Sequence, residues 1–101
     1  MANQLGLRLK QLREHNRLLQ RQLAGQLDID SGMLSKIEGG QRKAKKEHLS
    51  QFARVLKVPV DELLTLWLAD QLIEVVEGEH LALKAIQVAE EGVKYYTRKK
   101  R

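Results

Sequence analysis

Apolar residues recur along the chain at helical intervals. Leu5, Leu9 and Leu12 repeat with Arg8, Lys10 and Arg13 between them, which predicts an amphipathic helix over about 4–16. Leu23, Ala24 and Leu27 predict a second, short helix at about 20–27. Asp28-Ile29-Asp30 forms a tight connection, and Asp30 is placed to accept a bond from the amide of Gly32 or Met33 as an N-cap. A third helix over about 31–38 buries Leu34 and Ile37 and stops at Gly39-Gly40, where glycine enters the left-handed region at little cost. The basic loop Gln41-Arg42-Lys43-Ala44-Lys45-Lys46 follows. Leu49, Phe52, Ala53 and Leu56 then occupy the i, i+3, i+4, i+7 positions of a fourth helix.

Pro59 ends that run and forces Val58 extended. Asp61 and Glu62 suit the positive end of a fifth helix, whose apolar set is Leu63, Leu64, Trp67, Leu68, Leu72, Val75 and Val76. Gly78 breaks it. A sixth helix from about 80 to 96 presents Leu81, Ala85, Ile86, Ala89 and Val93. The pattern predicts an all-α protein of five helices and one more at the C-terminal side.

Composition narrows the function classes. The chain has 101 residues, 43% of them hydrophobic and 31% charged, which suits one small soluble domain with an appendage. A chain this short hides only ~60–68% of its unfolded surface, so a second chain is a natural way to complete the core. Zero Cys excludes a disulfide scaffold, a thiolate metal site and a Cys nucleophile. No apolar run approaches the ~18 residues of a membrane span, and no signal-peptide core is present, so a cytoplasmic location is expected.

The net charge of +5 is unevenly distributed. Residues 1–60 carry 12 Lys/Arg against 5 Asp/Glu, residues 61–96 carry 2 against 8, and the tail 97–101 adds four cations. The segments are accordingly assigned as a basic domain (1–60), an acidic helical extension (61–96) and a basic tail (97–101). A basic segment joined to an acidic one is the distribution of a chain whose first part meets a polyanion. A solvated surface with uneven use of Lys and Glu is the plainer alternative.

Residues 20–38 carry the sharper signal: two short helices joined by a three-residue turn. The DNA major groove, ~12 Å wide, admits one such helix while the other braces across the backbone. Buried Leu23, Ala24, Leu27, Ile29, Leu34 and Ile37 would fix the crossing angle, leaving Ser31, Gly32, Met33, Ser35 and Lys36 off the core face. Two short helices and a turn also make an ordinary helical corner.

Residues 5–64 resemble the DNA-binding domain of the XRE family, the phage repressor and Cro type of helix-turn-helix. The matching stretches are Leu5-Gly6, Leu12-Arg13, Gln20, Leu23-Ala24, Leu27, Ser35-Lys36-Ile37-Glu38, Gly40, Arg42-Lys43 and Asp61-Glu62-Leu63-Leu64. The resemblance implies a five-helix repressor-like domain with 31–38 as the reading helix. It places Ser31, Gly32, Met33 and Lys36 at base edges and Gln20, Gly39, Gln41, Arg42 and Lys43 at the DNA backbone. It pairs Arg13 with Glu38 as a structural ion pair. Leu19 stands where the family has a capping Ser, Thr or Asn, Asp28 where it has Gly, Arg17 where it has a small turn residue, and Ala44-Lys45 where Pro-Ser is common.

Among the reading residues, Lys36 can donate to guanine O6 and N7, or touch only phosphate. Met33 can pack on a thymine methyl or cap the core. Ser31 discriminates poorly alone, and Gly32 permits close approach, so DNA shape and dimer spacing would carry much of the selectivity.

The last two helices bear more apolar surface than a two-helix appendage can bury. Leu64, Trp67, Leu68, Leu72, Val75 and Val76, with Leu81, Ile86 and Val93, are assigned to an antiparallel helix pair forming a two-fold dimer interface. The alternative is that the pair folds back on its own domain. Trp67 within this stripe suits a core better than a base-stacking platform. His15, His48 and His80 lie on different helices without metal-ligand spacing, so no metal site, cofactor or enzymatic activity is expected. The expected activity is sequence-specific transcriptional regulation by a homodimer on a palindromic operator, with a restriction–modification operon as one setting. The alternatives are an antitoxin with a toxin partner, and an adaptor that binds RNA polymerase.

Overall fold

A computed structural model describes residues 3–99, and every regular element among them is helical. Six α-helices run α1 Gln4–His15, α2 Gln20–Leu27, α3 Ser31–Gly39, α4 Leu49–Leu56, α5 Val60–Val76 and α6 Ala82–Lys99, with one 3-10 turn at Lys46–His48. These bounds lie within a few residues of those the hydrophobic pattern predicts. The last two residues of the basic tail fall outside the described residues.

One core holds α1 to α5. Leu9, Leu23, Leu34, Phe52 and Leu63 are fully buried at its centre, and Leu5, Leu12, Ile37, Leu49 and Leu56 close around them. Each comes from the apolar stripe of its helix, so burial follows directly from the 3.6-residue period. Helix α1 packs on α3 and α5, α2 on α3, and α4 on α5. Gly6 allows the close approach of α1 to the end of α3: a Cβ there would stand 2.5 Å from the Ile37 carbonyl oxygen and 2.7 Å from that of Glu38. No side chain larger than hydrogen fits.

The turns take the conformations that the residues permit. Asp28 ends α2 with φ 56°, a left-handed position that Asp tolerates better than most residues. Arg17 does the same after α1, also at φ 56°, which explains why a small residue suits that position. Gly40 at φ 83° closes α3, and the Gln41 and Arg42 amides both donate to the Lys36 carbonyl.

The charge boundary near residue 60 is not a packing boundary. Leu63 is at the centre of the core, and Leu64, Leu66 and Trp67 pack against it. The Trp67 indole N–H donates to the Ala44 carbonyl at 2.8 Å. Leu64 and Trp67, assigned from sequence to an interface between chains, pack against their own domain and are half-buried. The stripe that placed them is real, but α5 turns one face, with Leu63, Leu64 and Trp67, inward and another, with Leu68, Leu72 and Val75, outward.

Further acidic residues of α5 fasten it to α1. The Asp70 carboxylate accepts the Gln4 and Leu5 amides at 2.9 and 3.1 Å, capping a helix whose N-cap residue, Asn3, makes no side-chain cap bond. Glu62 accepts from Arg8 at 2.7 Å, and that hydrogen bond raises the guanidinium pKa above its ordinary value.

Helix α6 differs from the rest. It shares no substantial packing with another helix, and the radius of gyration of 15.7 Å exceeds the ~13 Å of a compact chain this long. Leu81, Ile86 and Val93 are exposed, as are Leu68, Leu72 and Val75 on α5, while Val76 is half-buried. The pair does not fold back to close one core.

Candidate nucleic-acid interface

The helix pair α2–α3 is held from behind. Leu23, Ala24 and Leu27 of α2 and Leu34 and Ile37 of α3 are buried, and Ala24 at 2% exposure leaves room for the two helices to approach. Asp30 accepts the Gly32 amide and starts α3, as the sequence predicts for this residue. Because the apolar stripe takes one face, Ser31, Gly32, Ser35 and Lys36 remain exposed on the other. A short helix with a rigid back and a small, polar, cationic front suits insertion into a groove.

A buried ion pair locks the far end. Arg13 Nε donates to Glu38 Oε2 at 2.7 Å and Arg13 Nη2 to Glu38 Oε1 at 3.2 Å, while Nη1 donates to the Leu18 carbonyl at 2.8 Å. Arg13 and Glu38 are 9% and 4% exposed. Fork geometry and the third bond satisfy charges that burial would otherwise penalise. The pair thus ties α1, the turn after it and α3 into one unit.

Three assigned contact residues have other engagements. Met33 packs against the core, because it lies one turn before Ile37 and borders the buried stripe; its sulfur-bearing chain is spent there rather than offered wholly to bases. Gln20 donates its amide Nε2 to Glu38 Oε1 at 3.0 Å, so its side-chain nitrogen is aimed at the ion pair, and the helix N-terminus supplies backbone N–H groups at the same corner. Lys43 donates to Gln71 Oε1 at 2.6 Å and lies 3.9 Å from Glu74 Oε2, which draws it from the reading face toward α5. Arg42, Gln41 and Gly39 remain exposed at the end of α3. The Gln41 side chain lies against Gly39.

Sequence reasoning missed four contacts around this unit: Asp70 to the α1 amides, Glu62 to Arg8, Gln71 to Lys43 and Trp67 to Ala44. Their partners are 23 to 66 residues apart, and no local spacing rule connects them. Among the described residues no group of three His, Cys, Asp or Glu side chains could hold a metal, and no helix is long and apolar enough to cross a membrane.

The fold and this exposed, back-braced helix define a helix-turn-helix protein. Residues 4–66 match the model of a family described as a helix-turn-helix domain, and the chain belongs to that family. Among solved structures it is similar to the clp gene regulator ClgR from Corynebacterium glutamicum, with a TM-score of 0.59 and 23% identity over 95% of this chain and 92% of that one. At that identity the likeness is one of fold. Comparison with curated proteins gives no match.

Proposed function

We propose that this chain is a sequence-specific transcriptional regulator that binds duplex DNA as a homodimer across a palindromic operator. It acts by occupancy, without a catalytic step. The observation that carries this reading is the single exposed face of α3: Ser31, Gly32, Ser35 and Lys36 face outward while Leu34, Ile37 and Glu38 are buried behind them. Arg42 extends the cationic surface at the C-terminal end of α3, where phosphate contacts position a reading helix. A two-fold dimer would set two such helices ~34 Å apart, one turn of DNA.

Selection of bound duplexes from a random pool tests the reading directly, and the enriched sequence should be an inverted repeat. Replacing Lys36 with Ala should cost about 1–3 kcal/mol on the selected site and relax choice at one base pair. An equal loss on every sequence would remove Lys36 from base reading. Failure to enrich any duplex would overturn the proposal and favour a protein-binding role. Genes neighbouring the selected site then decide whether a restriction–modification operon is the setting.

A further inference from the structure

We propose that Gln71 and Glu74 of α5 compete with a DNA phosphate for Lys43, an autoinhibitory contact that lowers the affinity of this chain for every duplex. The proposal rests on the DNA-binding reading above and adds a restraint to it. Among the described residues, Lys43 is the one cation of the loop that forms an ion pair; Arg42, Lys45 and Lys46 form none. Its Nζ donates to Gln71 Oε1 at 2.6 Å and stands 3.9 Å from Glu74 Oε2.

The two acceptors are aimed at the loop. Trp67, Gln71 and Glu74 follow one another at i, i+4 and i+7, along one face of α5. Gln71 Nε2 donates back to the Trp67 carbonyl at 3.4 Å, which leaves Oε1 as the end that meets Lys43. The loop itself is tied on both sides of this lysine. Before it, the Gln41 and Arg42 amides donate to the Lys36 carbonyl. After it, the Trp67 indole holds the Ala44 carbonyl at 2.8 Å, and Ala44 is buried. With the backbone fixed, the choice between α5 and DNA falls to the flexible four-carbon stem of Lys43 alone.

The contact is weak enough to be contested. The Lys43 and Glu74 side chains are 50% and 43% exposed, and an ion pair so open to water is readily broken. A backbone phosphate offers the same ammonium a full charge and the release of a counterion. In the complex Lys43 either leaves α5, and the broken contact is subtracted from binding, or stays, and one phosphate goes without its cation. Affinity is lower than with a free lysine in both cases. Because phosphate contacts carry no sequence information, the loss falls on all duplexes alike and leaves discrimination to α3.

Removing the competitor should therefore improve binding, a direction that a merely structural role for Gln71 and Glu74 would not produce. The chain carrying Gln71→Ala and Glu74→Gln should bind the selected duplex and an unrelated duplex roughly two- to tenfold more tightly at ~0.1 M salt. Neither side chain is buried, so the fold should persist, which the unfolding midpoint checks. Glu74→Gln alone, a substitution of equal size on an exposed side chain, should give a smaller gain of the same sign.

Two backgrounds assign the gain to one lysine. Measured in Lys43→Ala chains, the effect of the α5 substitutions should vanish; measured in Arg42→Ala chains, it should remain. Unchanged or weaker binding of the released variant would overturn the proposal. So would a gain that survives in Lys43→Ala chains, which would belong to the general field of the removed charge, or one confined to the selected duplex. Each of these outcomes leaves the DNA-binding reading standing. Absence of DNA binding by the native chain and by every variant would instead remove that reading, and the competition with it.

Discussion

Helices α1 to α5 and helix α6 are built by opposite rules. In the first region polar contacts far apart in sequence join separate elements: Arg13 to Glu38, Asp70 to the start of α1, Arg8 to Glu62 and Trp67 to Ala44. In α6 the polar contacts that accompany its exposed residues are local, such as Thr97 to the Val93 carbonyl and Lys94 to Glu91. A helix with little tertiary packing depends on propensity and short-range pairs, which contribute tenths of a kcal/mol each. The contrast separates a domain packed within one chain from a segment whose apolar side that packing leaves exposed.

The largest effect should come from the buried pair. Arg13→Ala leaves Glu38, at 4% exposure, without its fork and with the Gln20 amide as its remaining side-chain donor. Loss of about 3–5 kcal/mol is expected in denaturant unfolding, independent of protein concentration. A loss below about 1 kcal/mol would mean that water reaches Glu38 readily and that the pair does not brace the reading helix.

Gly6→Ala comes next. The added methyl meets two backbone carbonyls on α3, which cannot swing aside as a side chain would. Destabilisation of about 1–3 kcal/mol is expected from overpacking, offset in part by the better helix propensity of Ala. Because α1 must move off α3, DNA affinity should fall with stability. Unchanged stability would show that the two helices separate at small cost.

Asp70→Ala probes the seam between the regions. It removes the acceptor for two α1 amides, and about 1–2 kcal/mol is expected by analogy with an N-cap. Hydrogen exchange should quicken at Gln4 and Leu5 while α6 is unaffected. If exchange rose equally in α6, the two regions would be one cooperative unit after all.

The reach of sequence reasoning follows the same division. Helix positions, the Asp30 cap, the left-handed turn at Asp28 and the Arg13–Glu38 pair could all be anticipated, because periodicity, cap chemistry and a family motif are local or recurrent signals. The inward face of α5 could not. Leu64, Trp67, Leu68 and Leu72 form one apolar set in sequence, and only packing decides that Trp67 meets Ala44 while Leu68 and Leu72 face out. Lys43 teaches a related lesson: a loop cation suited to phosphate is also within reach of Gln71, and the choice depends on where α5 passes.

The smallest predicted change adds stability. The two helices of the motif start differently: Asp30 supplies a side-chain oxygen to α3, whereas Leu19, at the same place before α2, offers none. Gln22 Oε1 still accepts the Leu19 amide at 2.7 Å, so half of a reciprocal capping pair is present. Leu19 is 51% exposed, and replacing it forfeits little burial. Leu19→Ser should therefore gain about 0.5–1 kcal/mol, read as a rise in the unfolding midpoint with unchanged denaturant slope. The gain belongs to the self-sufficient domain, so it should be equal at dilute and concentrated protein. A loss instead would mean that the Leu19 side chain packs usefully at the start of α2, and that the absence of the cap is compensated by contact.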